Sequence, residues 1–595
     1  MVLQNEPTPT VSGIELRRAE FATLTDALDY AAGGLTGFNY YNGRGELTTT
    51  LPYSELREKA RALARRLQGL GRGARVALVA HTHPDFMVMF YACQYAALVP
   101  VPLPAAIHLG GHEAYVRHLR HMLQDCKAAA AFAPSDFIEL LQEAVTGLPM
   151  QLTGTLEVFQ SLPDQGELPE PPRSEELAYL QYTSGSTRFP RGTMITQASV
   201  MHNLEAIFNH GFRLVQEDRF FSWLPYYHDM GLVGIVLGCM ATQRSCDFMG
   251  SREFAMRPRL WLKLMSQNRA TISFSPPFGY ALAARRITAK DTESLDLSAW
   301  RVAGVGAEMI HEEWLEAFAK ALAPAGFSRK AFLPCYGMAE VALAVSFSTV
   351  GAGMHIDYVD GEHLSDTAEA LAFTDGSDAR RKGFVNCGVP LPGFEVEVRD
   401  ERGRVLPERR VGRVFLRGAS VMQGYYNSPD TTAEVLSSDG WLNTGDLGYR
   451  VNGAMYLTGR AKDLLIINGR NIWPQDLENL AEQQPEVRPT DASAFSVPGV
   501  DGTEVAVLVV QCRETEPRAQ SELADRLHEA ISAEFGIRCL IELVPPHTLP
   551  RTSSGKLSRS VTRKEFLERH DEERIREASH RRFLVSDGGK RQVAA

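Results

Sequence analysis

The sequence predicts an α/β protein on a mainly parallel sheet, followed by a small α+β domain. Two observations lead there. Short apolar runs alternate with helically periodic stretches through the first hundred residues, and the texture changes beyond Asp463 to strands around one amphipathic helix. A length of 595 residues fits two to four domains, or one large and one small, at roughly 150 residues each.

In chain order, Tyr53–Leu70 (YSELREKARALARRLQGL) carries apolar residues at helical spacing with charges between, which predicts an amphipathic helix. ARVALVA (74–80) is a short apolar run and predicts a buried strand. HPDFMVMFYACQYAALVPVPL reads as a mostly buried helix stopped by Pro100. SLPDQGELPEPPRSEE (161–176) is rich in proline and acid and predicts a solvated linker. The stretch 349–383 is polar and dotted with glycine. A loop of that length is uncommon in a compact domain and is often functional. ASAFSVPG (492–499) and EVAVLVVQC (504–512) predict strands beside a helix at 522–536 (ELADRLHEAISAEFG), and the tail mixes both charge signs. The expected division is a large domain over 1–462, with 349–383 inserted in it, a small domain over 463–575, and a disordered tail over 576–595. No internal repeat of fixed period is present.

Composition excludes several classes. Acidic side chains outnumber basic ones by 72 to 62, a net charge of −10, whereas a dedicated nucleic-acid binder shows a basic footprint. The eight cysteines include no C-x-x-C pair, so neither a zinc site nor a redox dithiol is indicated; reduced thiols of a cytoplasmic protein are the expectation. The N-terminus lacks the apolar core of a secretory signal. The longest apolar run, near Gly231–Ala241, falls short of the roughly 20 residues a membrane span needs.

YTSGSTRFPRG (182–192) carries the strongest local chemistry. Its backbone N–H groups and the hydroxyls around Thr183, Ser184, Gly185, Ser186 and Thr187 can wrap an anion, and Arg191 adds a cation that pairs with phosphate. A solvated serine-rich turn is the plainer reading of that stretch taken alone. TSSGK (552–556) is not a Walker loop, because Pro550 stands where the first glycine belongs. No G-x-G-x-x-G opens a strand–helix turn.

The order of motifs adds specificity. After YTSGSTRFPRG come LPYYHDMGL (224–232), GVGAEM (304–309), CYGMAE (335–340), GRVFLRGASVMQGYYN (412–427), NTGDLG (443–448), GRAKDLLIINGRNIWPQDLEN (459–479) and PRTSSGKLSR (550–559). This series resembles the adenylate-forming superfamily of acyl-CoA synthetases, peptide-synthetase adenylation domains and luciferases, from about residue 20 to 570. Three features resemble the fatty acyl-AMP ligases in particular: LPYYHDMGL, NIWPQDLEN, and the segment 349–383 after YGMAE. Two positions depart from the superfamily loop, Arg188 for a glycine and Arg191 for a lysine. The stretch SFSPPFGYALAARR (273–286) also differs from the glycine-rich segment usual there.

The resemblance implies a large domain of mixed sheets with a distorted β-barrel subdomain, and a small lid that rotates between half-reactions about a hinge at Lys462. It implies ATP-dependent activation of a fatty acid to acyl-adenylate with release of pyrophosphate, then transfer to the phosphopantetheine thiol of a holo-acyl carrier protein. Lys556 matches the lid lysine that bridges carboxylate and α-phosphate, and His228 matches the aromatic gate of the acyl pocket. Glu340 matches the Mg²⁺ ligand; Asp446 and Arg460 match the ribose contacts. Tyr336, Gly337 and Met338, with the strip Gly306–Ala307–Glu308, match the adenine site. Trp223, Met230, Phe274, Phe278 and Met338 are expected liners of the acyl pocket. Arg380, Arg381 and Lys382 are candidate docking charges for an acidic carrier. A carboxylic acid is already ionised at neutral pH, so the first step needs no base; it needs anions held together and their charge offset. Two alternatives stand beside this reading, an acyl-CoA synthetase transferring to CoA and a degenerate non-catalytic nucleotide- or acyl-binding homologue. An amino-acid-activating domain is disfavoured by the YYHD segment.

Overall fold

The computed structural model describes residues 6–105, 111–183, 190–374, 381–467, 470–498, 504–552 and 556–570, and the backbone of 583–585. A nine-stranded sheet forms the centre of the large lobe. Gly37–Tyr41, Cys246–Met249, Phe220–Ser222, Ile272–Ser275, Val302–Val305 and Phe332–Gly337 run parallel in that spatial order. Leu47–Pro52 closes one edge antiparallel, and Ala344–Phe347 with Val389–Pro390 closes the other. A second, all-parallel sheet of four strands contains Arg75–Val79, the expected buried strand.

Helix Tyr53–Leu67 buries Tyr53, Leu56, Ala60, Leu63, Ala64 and Leu67, the stripe its spacing predicts. The next helix, Pro84–Tyr95, is buried from Phe86 to Tyr95, which explains why its sequence is apolar all round. It ends before Pro100, and Val99–Leu103 returns as a strand. The two prolines of that strand are tolerated because it lies at the sheet edge. Phe394–Arg399, Gly412–Gly418, Leu442–Val451 and Ala454–Arg460 form a four-stranded antiparallel sheet. Single bridges at Asn386–Tyr456 and Thr193–Tyr425 stitch it to the rest of the lobe.

Two expectations need correction. The segment 349–383 is not a bare loop: Ile356–Asp360 pairs antiparallel with Arg381–Val385, and helix Gly361–Thr367 follows the first strand. The tail beyond residue 576 is not wholly irregular either. Phe583–Val585 adds a parallel strand to Cys539–Val544, whose outer edge offers unpaired backbone groups.

Beyond Leu465 the chain builds its own core. Ile472, Leu477, Leu508, Leu527 and Ile541 pack together apart from the large-lobe cluster, around helix Pro517–Phe535 and strands Ala492–Pro498, Glu504–Gln511 and Cys539–Val544. Among the described residues no helix is long and apolar enough to cross a membrane.

Candidate active site

A cavity of about 840 Å³ opens between the large lobe and the C-terminal unit.

The paired strands Leu177–Tyr182 and Gly192–Thr196 flank the hydroxyl-rich stretch of sequence. Thr183 N–H donates to Arg191 O at 3.0 Å, so the two ends of the turn are clamped together at the cavity wall. Ser184, Gly185, Ser186, Thr187 and Arg188 lie outside the described residues. The Arg191 guanidinium sits 5.5 Å from the centroid of the Tyr425 ring. The Tyr425 hydroxyl donates to Glu340 Oε1 at 2.8 Å. Burial pushes the Glu340 carboxyl up, and the Tyr425 hydroxyl opposes that push.

Asp446 and Arg460 are cross-strand partners in the antiparallel sheet. Arg460 Nε lies 2.9 Å from Asp446 Oδ1, and Tyr336 OH donates to Oδ2 at 2.7 Å. Asp446 N–H donates to Thr444 Oγ1 at 3.0 Å, which fixes the backbone beneath the carboxylate. Burial and the neighbouring Asp446 charge push the Tyr336 phenol up, so it stays a donor. Tyr336 thus lies in the wall with its hydroxyl tied to the carboxylate expected to hold the ribose. Gly337 is needed here, because a Cβ would stand 1.9 Å from Leu343 O. Met338 N–H donates to that same carbonyl at 2.8 Å and starts the turn that carries Glu340.

Gly306 is packed behind the wall, where a Cβ would meet Cys335 Sγ at 2.8 Å. Ala307 adopts a left-handed conformation (φ 71°) and turns the strip into the cavity. Its carbonyl accepts Lys556 Nζ at 2.5 Å. On either side of Lys556, Thr552 N–H donates to Lys556 O at 2.7 Å and Arg551 bridges to Leu557. Burial pushes the Glu308 carboxyl up, against the pull of Lys556, His228 and Arg551.

His228 Nδ1 lies 2.6 Å from Asp229 Oδ1. That proximity places a proton on Nδ1, so the Met230 amide is better satisfied by Asp229 Oδ1 at 2.7 Å than by the ring nitrogen at 3.3 Å. Burial alone would raise Asp229; the charges of His228 and Lys556 hold it below the usual carboxylate range. Met230, Phe274 and Phe278 line the apolar part of the cavity, as does Met338. Trp223 does not. It stacks on Phe254 at 3.7 Å and meets Phe278 edge-on at 5.9 Å, one layer behind the wall, in space left open by Gly279. Lys462 lines the cavity, and burial pushes its amine down.

The inserted segment touches the C-terminal unit. Asp366 pairs with Arg470 at 2.8 Å, Asn471 donates to Ser365 O at 3.3 Å, and Lys382 reaches Asp476 at 2.6 Å while lying 4.1 Å over the Trp473 ring. Arg381 lies 4.5 Å over Tyr358. These two cations, expected to face a carrier, are engaged within the chain; Arg380 lies outside the described residues.

The family model described as AMP-binding enzyme matches residues 39–426, and the AMP-binding enzyme C-terminal domain matches 469–564. The chain belongs to the AMP-binding enzyme family, in its fatty acyl-AMP ligase branch. It is 44% identical to a putative acyl-CoA synthetase of Caulobacter vibrioides, over 94% of this chain and 98% of that protein. It is 31% identical to the medium-chain-fatty-acid–[acyl-carrier-protein] ligase JamA of Moorena producens, over 93% and 96%. A solved structure from a study of fatty acyl-adenylate ligases of E. coli and L. pneumophila superposes with a TM-score of 0.88 at 45% identity, covering 93% of this chain and 99% of that one.

Sequence reasoning about this ligase missed four residues at the site. Tyr425 lay in a quoted motif with no role given, yet it links Arg191 to Glu340. Asp229 stood next to His228 and was passed over. The aromatic residues Phe212 and Phe347 line the cavity but belong to no motif, so nothing local marks them.

Proposed function

We propose that this ligase activates a fatty acid with ATP to acyl-adenylate, releasing pyrophosphate, and then passes the acyl group to the phosphopantetheine thiol of an acyl carrier protein. The observation that carries this is one continuous cavity with two characters. Its wall carries Glu340, Asp446, Arg460, Arg191 and Lys556, and with them the apolar Met230, Phe274, Phe278, Phe212 and Phe347. A charged nucleotide and an alkyl chain each find their own solvent there.

In this reading the turn opened by Thr183 and Arg191 grips the phosphates, and Asp446 accepts the ribose hydroxyls with Arg460 and Tyr336 holding its carboxylate. Tyr336 and the Ala307–Glu308 strip enclose the base. Lys556 offsets the charge of the fatty carboxylate and α-phosphate as they approach; with no proton to remove, placement and charge do the catalysis. Its Ala307 contact parks the ammonium at the junction of the polar and apolar walls. His228, its Nδ1 fixed by Asp229, stands as a gate and not as a base.

Glu340 suits Mg²⁺, which is held by one or two carboxylates together with substrate phosphates and water. Among the described residues no group of three or more His, Cys, Asp or Glu could hold a metal, and substrate phosphates and water would complete the ligands beside Glu340. Bound there, the ion would neutralise phosphate charge, and Tyr425 would orient the carboxylate toward it. The boundary between large domain and lid falls at 462/463, with Lys462 as the hinge. A cytoplasmic location goes with ATP as co-substrate.

The test has two parts: fatty-acid-dependent pyrophosphate exchange across C8–C18 acids, then acyl transfer to holo-carrier and to CoA followed by mass spectrometry. Exchange with acids in this range and transfer to the carrier in preference to CoA are expected. No exchange with any acid sinks the ligase reading, and equal turnover on CoA sinks the carrier assignment.

A further inference from the structure

Three aromatic rings meet in the apolar wall of the cavity. Phe212 and Phe274 stand 5.7 Å apart between centroids, Phe212 and Phe347 6.0 Å, and Phe274 and Phe347 6.4 Å, all three lining the cavity. Each ring touches the other two, which leaves no gap for an alkyl chain between them. Phe212 is backed in turn by Phe208 and Phe220 at 4.8 and 6.1 Å, so the wall rests on the core.

The backbone makes room for this wall. A Cβ at Gly304 would stand 2.0 Å from the Phe274 ring, and one at Gly211 would stand 2.8 Å from the Phe347 ring. Both rings therefore lie flat against glycine backbone, and a larger residue at either position would drive them into the cavity. The side wall contains a further glycine, Gly234, in the wide-turn segment Leu232–Leu237; its missing Cβ would point at Leu343 Cδ2, 2.9 Å away. Such widened helical turns recur at functional sites because they displace backbone toward a ligand.

Resting on the reading that the apolar part of the cavity holds the acyl chain, we propose that the Phe212–Phe274–Phe347 triangle is its end wall and sets the longest acid the enzyme accepts, with Gly234 setting the bore. Each buried methylene strengthens binding about fourfold, so specificity rises with chain length until the terminal methyl meets the rings. One methylene more must displace a packed ring, and specificity then falls sharply.

Two variants move the limit in opposite directions. Phe347→Ala removes one side of the triangle. Gly234→Ala pushes the Leu343 side chain, itself a cavity liner, and so narrows the bore without backbone strain, because Gly234 is not in the left-handed region. The measurement is kcat/KM for pyrophosphate release with each even-numbered saturated acid from C6 to C18. In Phe347→Ala the first acids rejected by the parent should gain at least about tenfold. In Gly234→Ala the longest accepted acid should lose about tenfold, while acids four carbons shorter stay within about twofold. Should Phe347→Ala fail to fold, Phe347→Leu and Gly234→Ala carry the same comparison. An unmoved limit in folded variants, or a loss uniform across chain lengths, overturns the proposal. A parent that releases pyrophosphate with no acid overturns the ligase reading beneath it, and the two failures are told apart by the parent's own profile.

Discussion

Glu482 shows how a single carboxyl at the lobe junction responds to its surroundings. It lines the cavity, accepts Thr490 N–H at 2.7 Å, and is pushed up to about 8 by burial, with Glu478 and Asp491 adding to the rise and Arg285 of the large lobe opposing it. The folded protein therefore keeps a proton there that the unfolded chain releases near its ordinary 4.5. Stability from this group is full below pH 4.5, declines as pH rises toward 8, and is flat above. Glu482→Gln keeps the shape and the acceptor but cannot ionise. It should match the parent near pH 4.5 and exceed it by about 1–3 kcal/mol near pH 9. Thermal melts across that range check this; parallel curves for both proteins would refute it. No sequence pattern marks Glu482, because its shift comes from burial, and the cation that opposes it, Arg285, lies nearly 200 residues away in the chain. Asp446, Arg460, Glu340 and Lys556 were readable because each sits in a motif whose spacing is local. Trp223 was misplaced for the complementary reason: an apolar residue beside a motif looks the same whether it lines a cavity or backs its wall.

At the scale of elements, the inserted segment departs furthest from expectation. Its polarity predicted exposure correctly for much of the stretch, but the pairing of Ile356–Asp360 with Arg381–Val385 spans a helix and could not be seen in either strand alone. Its outer face carries Asp366, which meets Arg470, while Leu364, Val359 and Phe384 pack around the buried Trp473 at the entrance to the C-terminal unit. Ion pairs as exposed as Asp366–Arg470 contribute at most about 1 kcal/mol, so the Trp473 packing is the stronger tie and the charges give it register. Asp366→Ala combined with Lys382→Ala should leave pyrophosphate release within about twofold, since neither residue lines the cavity. It should raise turnover on CoA relative to carrier several-fold, because a lid less firmly docked opens the seam to other thiols. Limited proteolysis reports the loosening directly; a loosened lid with an unchanged CoA-to-carrier ratio would show that the insertion does not control acceptor choice. The strand at Phe583–Val585 was hidden for a similar reason, since three residues in a charged tail carry no periodicity.

Across the whole molecule, the superfamily order of motifs was legible from end to end, whereas the meeting of its parts was not. Asp229, Ala307, Glu308 and Lys556 come from three distant stretches of chain, and only the packing of the C-terminal unit against the large lobe brings them together. The parts nonetheless have separable duties. Lys556 is supplied to the cavity from beyond residue 550, and its ammonium donates to Ala307 O of the large lobe and bears on the Asp229 and Glu308 carboxylates. If that delivery serves adenylation alone, Lys556→Ala should cut fatty-acid-dependent pyrophosphate release by about a hundred- to a thousandfold, the range for loss of one preorganised donor. Transfer from chemically supplied acyl-adenylate to holo-carrier should stay within about threefold, because the second step begins after the α-phosphate has been acylated and its approach to the carboxylate no longer needs offsetting. Stability should change little, the side chain being half-buried with one carbonyl partner. Equal loss in both half-reactions would mean that the lysine holds the lobes together and does not act on the carboxylate; retention of pyrophosphate release at the parent rate would remove it from the chemistry altogether.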